Sequence, residues 1–560
     1  MGSFHRTIGI FSCFLTLCKG QDMSPILTSD ATFIGSPGVR ARLTLTGVTN
    51  VARIVAKNLA PEIAQADAFV LMAPHKLSQF SLSASSPKLR LFGDVNQVVV
   101  NMVPIGAITT HITNINASIA FTVNGAMNGR TIAGSIDLFS EGFAVDVTLN
   151  VKRNSRGNPL ITILSCHGVA PKKAITVRST SVKAPALQQL QSTAATWVPS
   201  LFEAVVCPRL EFIVEHRVNQ RFALLPSKIT LQQTANFDLM RAMIEADREI
   251  RRKARQNRRH RRDTGTGSLQ AFISSNFNLS RAEGLVLDYG VLSSPIISSR
   301  GIEIESSGEI SAFGVQTPFG PKPISLPATV SNEMFEIVVS DFVPNSFMYH
   351  GHRIGIFNTR VDPKTPHFGP TMRTSCDLDS GSLFCVGDLF PTLRDEFPDR
   401  ELVFLFSTLR APVVVVHSEK DGGIKFELLG LIQVMQIDPI TKRETPLGSM
   451  EIELDAKMQM RITSKVVKGK VILDNITLRT RTPKVLVQEE LDDASLLSRE
   501  ILQRMVNDII RQGVPIPVHP LFRLRKPNLR LSERSLILET AFTLNKRLIS
   551  QLTAAQLSRA

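Results

Sequence analysis

The 560-residue chain is short of the ring systems that read nucleic acid. Aromatics make up 6% of it, nearly all of them Phe, with one Trp and two Tyr. Its most basic stretch, Arg248 to Arg262, sets nine Lys or Arg against one Glu and holds no aromatic residue. Single-stranded nucleic acid is gripped by stacking on aromatic side chains set among basic ones. A nucleic-acid partner is therefore not expected, although the formal net charge is +15. Catalytic signatures are also missing. There is no G-x-S-x-G elbow, no H-E-x-x-H pair and no G-x-x-x-x-G-K-[ST] loop, so the hydrolase, zinc-peptidase and P-loop readings fall away. No C-x-x-C pair or nearby His spacing points to zinc. No enzyme, metal or cofactor is expected.

Long apolar runs are missing too. Ile8 to Cys18 is an apolar stretch of eleven residues behind a weakly positive start, followed by Gly20 and polar Gln21-Asp22. That is too short to span a bilayer and fits a secretory signal peptide over residues 1–20. The mature protein is then expected to be secreted and extracellular. Cys13 and Cys18 leave with the signal, and Cys166, Cys207, Cys376 and Cys385 remain. Four cysteines in an oxidising compartment suggest two disulfides and allow three pairings. Cys166–Cys207 with Cys376–Cys385 is favoured because each bridge stays within one half of the chain. Asp377 and Asp379 inside the second loop read as its polar filling rather than as calcium ligands. Asn116, Asn278 and Asn475 open N-x-S/T sequons and are candidate glycosylation sites.

What is present is alternation. Pro37 to Thr46 reads as a strand, and Val48, Val51, Val55, Leu59 and Ile63 then recur at helical spacing, with Pro61 expected to bend or end the helix. From Lys88 to Arg153 the chain predicts long antiparallel strands, most cleanly over Ala144 to Val151. A second helix is predicted from Ala186 to about Arg221. The second half repeats this order. It has strands over Leu285 to Ser311, a strand at Phe335 to Ser340 and a short helix over Val386 to Phe397. An unbroken alternation follows from Met450 to Ile462, then a long helix ending at Gly513. His350 and His352 are read as lying in a solvated turn. The fold class is α+β in two similar halves. Sheets of this kind wrapped on helices are compatible with two interiors, a dry core or an elongated apolar groove. A groove would suit acyl chains, since each buried methylene contributes about 0.8 kcal/mol.

Several stretches resemble one family in their order. They are Pro37-Gly38-Val39-x-Ala41-Arg42-Leu43 running into a helix, Cys166 with Cys207, and Asp288-Tyr289-Gly290 through Pro295. Val339-Ser340-Asp341-Phe342 through Asn345, Gly387-Asp-Leu-Phe-Pro391 and Gly513-Val-Pro515-Ile-Pro517 follow. The chain thus resembles the secreted family of bactericidal/permeability-increasing protein, lipopolysaccharide-binding protein and the phospholipid and cholesteryl ester transfer proteins. The resemblance implies two elongated barrels of twisted antiparallel sheet wrapped around helices, joined by a central sheet as a boomerang, with one lipid pocket per barrel. It implies that Cys166–Cys207 is the family's disulfide, and that the ligand is phospholipid or another acyl lipid.

Candidate lipid-binding residues are Val51, Ile54, Val55 and Leu59 on the first helix and Leu187 and Leu190 on the second. The expected domains are an N-terminal barrel over 21–247, a polybasic linker over 248–270, a C-terminal barrel over 271–543 and a tail over 544–560. Two departures stand out. The loops Glu62 to Asp67 and Asn124 to Gly129 lack the positive charge with which bactericidal members meet lipopolysaccharide. The basic run also replaces a Pro-containing linker. Arg251, Arg252, Lys253, Arg255, Arg258, Arg259, Arg261 and Arg262 have three readings: a solvated linker, a patch for lipopolysaccharide or an anionic membrane surface, or a processing site after Arg259-His260-Arg261-Arg262.

Overall fold

A computed structural model describes residues 23–65, 75–77, 81–92, 97–103, 106–169, 175–224, 227–230, 284–365, 369–376, 385–462, 466–511, 514–515, 522–546 and 549–550. The expected signal peptide, most of the basic run's surroundings and the run itself lie outside these residues, as does Asn278.

β1 (Val39–Leu43) passes directly into α1 (Leu45–Gln65). Thr44 marks the change of period: its hydroxyl accepts the Gly47 N–H at 3.3 Å, an N-cap contact that satisfies a free helix donor. Pro61 does not end α1, which continues to Gln65. The N-terminal sheet is built from β2 (Ser81–Phe92), β3 (Gln97–Val103), β4 (Ala107–Met127), β5 (Arg130–Arg153) and β6 (Pro159–Val169). It runs β2-β4-β5-β6, with β3 also on β4, and every pairing is antiparallel. Strands of this length need bends to wrap a helix. Here the β4–β5 register shifts on either side of Ile115, where Asn114 has φ 61° and Gly142 opposite has φ 72°. Such bulges sharpen the twist. The Asn116 amide oxygen accepts the Gly142 N–H at 3.1 Å and holds the bulge.

The predicted second helix is broken in two, α2 (Ala184–Ser192) and α3 (Ala194–Ile213), which a wider π-helical turn over Val214–Asn219 extends. The corner is held by Trp197, fully buried, whose Nε1 donates to the Leu190 carbonyl at 3.2 Å. Phe202 stacks on Phe143 of β5 with centroids 4.0 Å apart. Helices and sheet thus share one apolar interior.

The second half contributes β7 (Gly301–Ser306), β8 (Phe335–Ser340), α4 (Phe342–Ile354), β9 (Ile424–Ile437), β10 (Glu444–Ile462), β11 (Val466–Thr480), α5 (Gln488–Arg511), β12 (Phe522–Ser532) and β13 (Ser535–Leu544). β9, β10 and β11 form an antiparallel meander. α5 is tied to β11 by polar side chains: Asn507 accepts from the Val471 N–H and donates to the Val471 carbonyl, each at 2.7 Å. The short helix expected over Val386 to Phe397 is two turns, Val386–Leu389 and Pro391–Glu396.

α4 corrects the reading of His350 and His352 as a solvated turn. The segment is a helix that ends at Gly355 in the left-handed region, φ 71°. Pro344 and Gly351 within it obscure the helical period. His352 Nδ1 lies 2.6 Å from the Thr408 hydroxyl. His350 is 2% exposed, and its Nε2 has no partner among the described residues. Burial, helped by the nearby Arg353 charge, pushes its pKa down to about 4. The unfolded chain therefore binds the extra proton between the ordinary value of about 6.5 and the folded value, so stability is full above pH 6.5 and falls as pH drops towards 4. At pH 5 this one group should destabilise the fold by about 2 kcal/mol relative to pH 7. Comparing urea midpoints at the two pH values for the natural chain and His350→Gln checks it; an equal acid shift in both would refute the assignment.

The halves meet in a central sheet ordered Ile296–Ser298, β7, β1, β8, β13, β12. Residues at the chain's beginning thus sit between strands of its second half. Leu27 likewise packs with Phe319, Phe342, Tyr349 and Val413. The α+β class and the two sheet-and-helix halves joined by a central sheet are as the residues and the resemblance led one to expect.

Candidate functional site

In the N-terminal half the sheet and its helices leave an apolar cavity of about 60 Å³. α1 supplies Ala56, Leu59, Ala60 and Ile63; α3 supplies Phe202, Val206 and Leu210; the sheet supplies Leu91, Ile112, Ile115, Val145 and Val147. No lining residue carries a polar side chain, so the space offers no nucleophile, acid or base. It is built by size mismatch. Ala56 and Ala60 are one turn apart on α1, and their small side chains pack with Val98, Val100 and Ile108 of the sheet while leaving space beside Leu59 and Ile63. The volume corresponds to about two waters, yet a water needs two to four polar partners and would find none here. The space suits hydrocarbon.

Of the six candidate lipid-binding residues, the structure places Leu59 in this lining. Val51 and Ile54 turn instead to Met334, Phe335, Phe522, Phe542 and Ile549, at the join with the second half. Val55 is half-buried outside the lining. Leu190 is fully buried and Leu187 partly so, both in the core around α2 and α3. The cavity-facing residues of α3 and the alanines of α1 were not anticipated. The signal for them was the i, i+4, i+8 series Phe202, Val206, Leu210 in the sequence. Cys207, beside that series, is bonded to Cys166 of β6, with Cα atoms 5.7 Å apart, and the bridge fixes α3 against the sheet. Cys376 is bonded to Cys385, Cα to Cα 5.6 Å, and Asp388 lies against both sulfurs. Asn475 is exposed on β11 and Asn116 is half-buried at its bulge.

Charge is concentrated where the halves join. Arg42 of β1 faces Glu303 of β7 and Glu336 of β8 in strand register. It is 1% exposed and bonds them at 2.9 and 2.7 Å, with a third bond of 3.0 Å to the Pro327 carbonyl. Arg534 similarly joins Asp30 and Asp341 at 2.6 Å each, all three buried. Deeper in the N-terminal half, Arg217 reaches Glu62 of α1 at 3.0 Å.

Residues 280–544 match the family described as LBP / BPI / CETP family, C-terminal domain. Among relatives, it is similar to the bactericidal permeability-increasing protein of Sebastes schlegelii, 19% identical over 414 residues, which are 73% of this chain and 74% of that protein. Among solved structures, lipopolysaccharide binding protein aligns with 91% of this chain and 99% of its own, at 17% identity and a TM-score of 0.49. P47 from Clostridium botulinum A2 aligns with 90% and 97%, at 10% identity and a TM-score of 0.24. The matched segment contains β7 to β13, so it supplies every central-sheet strand except β1. No helix among the described residues is long and apolar enough to cross a membrane.

Proposed function

We propose that this protein is a secreted, non-catalytic lipid-binding or lipid-transfer protein, and that the cavity between α1, α3 and the N-terminal sheet takes a phospholipid acyl chain. The wholly apolar lining carries the reading: a recess with no polar side chain in its lining recognises hydrocarbon by burial alone. The match of residues 280–544 to the LBP / BPI / CETP family, C-terminal domain, supports it. The two disulfides and the apolar run at Ile8 to Cys18 support an extracellular site of action.

A second reading rests on charge. The nine basic residues between Arg248 and Arg262 suit lipopolysaccharide or another anionic lipid surface, and the relative named for bactericidal activity favours it. One experiment separates the two. Protein from a secreting host is examined by native mass spectrometry for co-purifying lipid and by flotation with anionic vesicles. Ala60→Leu, which fills the cavity, should lower lipid occupancy at least severalfold and leave flotation intact. Deleting residues 251–262 should do the reverse. Full occupancy in Ala60→Leu would remove the cavity from the function.

A further inference from the structure

Arg209 directly precedes Leu210 of the cavity lining and has no carboxylate partner among the described residues. It is 2% exposed. Its Nη2 donates to the Pro87 carbonyl at 3.0 Å and its Nη1 only weakly, at 3.5 Å, to the Val205 carbonyl one turn back in α3. Its Nε–H has no partner among the described residues. The contrast with Arg42, Arg217 and Arg534, each held by one or two carboxylates, is sharp. A guanidinium does not shed its proton at any relevant pH, although burial pulls the pKa of this one down. An unpaired buried charge is among the most destabilising features a fold can hold. Such a group points to a counter-charge that the described residues do not supply.

Its position says which kind. At 100° per residue, Arg209 falls only about 20° around α3 from Phe202 and about 60° from Val206, both of which line the cavity. The guanidinium lies back along the helix, level with Val205, and therefore beside that lining. Pro87 sits where β2 slips register between Ser85 and Lys88, with Ser86 at φ 53° and exposed. The Pro87 carbonyl that Arg209 bonds is thus next in the chain to an exposed residue, Ser86.

We propose that Arg209 binds the anionic end group, a carboxylate or a phosphate ester, of the lipid whose chain occupies the cavity. The Nε–H and an Nη–H present the parallel pair of donors that such oxygens accept. The inference rests on the lipid-binding reading above, and the test keeps the two apart.

Delipidated full-length protein is titrated with a fluorescent polyene fatty acid, its methyl ester, and phosphatidic acid carrying the same chain. The natural protein should bind at least one anionic form about tenfold or more tightly than the ester. Arg209→Gln should bring that affinity down to the level of the ester while leaving ester binding unchanged, and Arg209→Lys should retain part of it. Loss confined to the fatty acid identifies a carboxylate ligand, and loss confined to phosphatidic acid identifies a phosphate. Equal affinity for acid, phosphatidic acid and ester in the natural protein overturns the role of Arg209 and leaves lipid binding standing. No binding of any of the three overturns both.

A second measurement covers misfolding. If Arg209 awaits a ligand, Arg209→Met should raise the melting temperature of the lipid-free protein by about 2–4 °C, since it removes an unpaired charge. A structural arginine would give a fall instead, and that result would refute the proposal.

Discussion

Glu336→Ala should destabilise the folded protein by about 3–5 kcal/mol, the range for breaking a buried ion pair from one side. Glu336 is fully buried and bonds Arg42 at 2.7 Å, while its other oxygen accepts the Ser331 N–H at 2.6 Å. Removing the carboxylate strands both donors, and Glu303, the remaining carboxylate partner of Arg42, is partly exposed and cannot neutralise the site alone. The effect belongs to the mismatch rather than to the pair. The double variant Arg42→Met with Glu336→Leu should therefore recover most of the loss. Urea unfolding of both variants is the check. A Glu336→Ala loss below about 1 kcal/mol, or a double variant as unstable as the single, would show that the central sheet does not depend on this pair.

Replacing Cys166 and Cys207 by alanine should cost about 4 kcal/mol, because the bridge closes a 41-residue separation and removes that much chain entropy from the unfolded state. The Cys376–Cys385 bridge, nine residues apart, should cost about 3 kcal/mol on the same basis. The two differ in function. Cys207 adjoins Val206 in the cavity lining, so losing its bridge frees α3 from β6 and should also lower lipid occupancy. Loss of the second bridge should not. Thermal unfolding alongside lipid content by mass spectrometry tests this; a Cys166/Cys207 variant with unchanged melting and lipid content would contradict it.

Local periodicity carried the α+β class, the long strands of the N-terminal sheet and the helices α1, α3 and α5, because periods of 2 and 3.6 are written in neighbouring residues. The family resemblance, built from short separated motifs, carried the two-half architecture. The lining of the site was only partly legible. α1 is apolar on three sides: one meets the cavity, one the strands around Val98 and Ile108, and one the closing strands through Val51 and Ile54. Sequence shows that all three are apolar and not which neighbour each receives. Large residues drew attention to Val51, Ile54 and Val55, whereas a cavity is made where side chains are small, at Ala56 and Ala60. α4 was missed because Pro344 and Gly351 argue locally against the helix that tertiary packing imposes. Arg209 was visible as a cation on the face of Phe202 and Ile213, but charge attracts notice in clusters, and this one stands alone.

The place of β1 in the central sheet has a consequence for biosynthesis. β1 emerges from the ribosome early, yet one of its partners is β8, about three hundred residues later, and β8 is flanked in turn by β13 near the end. Asp30 waits still longer for Arg534, 504 residues away. The N-terminal sheet can close on its helices as it is made, but β1 must remain unpaired until about three hundred more residues are out, and Asp30 until nearly the whole chain is. Non-local pairings of this separation fold slowly and leave strand edges exposed in the interval. The alternating arginines Arg40 and Arg42 then have a second use, since charge on an unpaired strand discourages wrong partners until Glu303, Glu305 and Glu336 arrive.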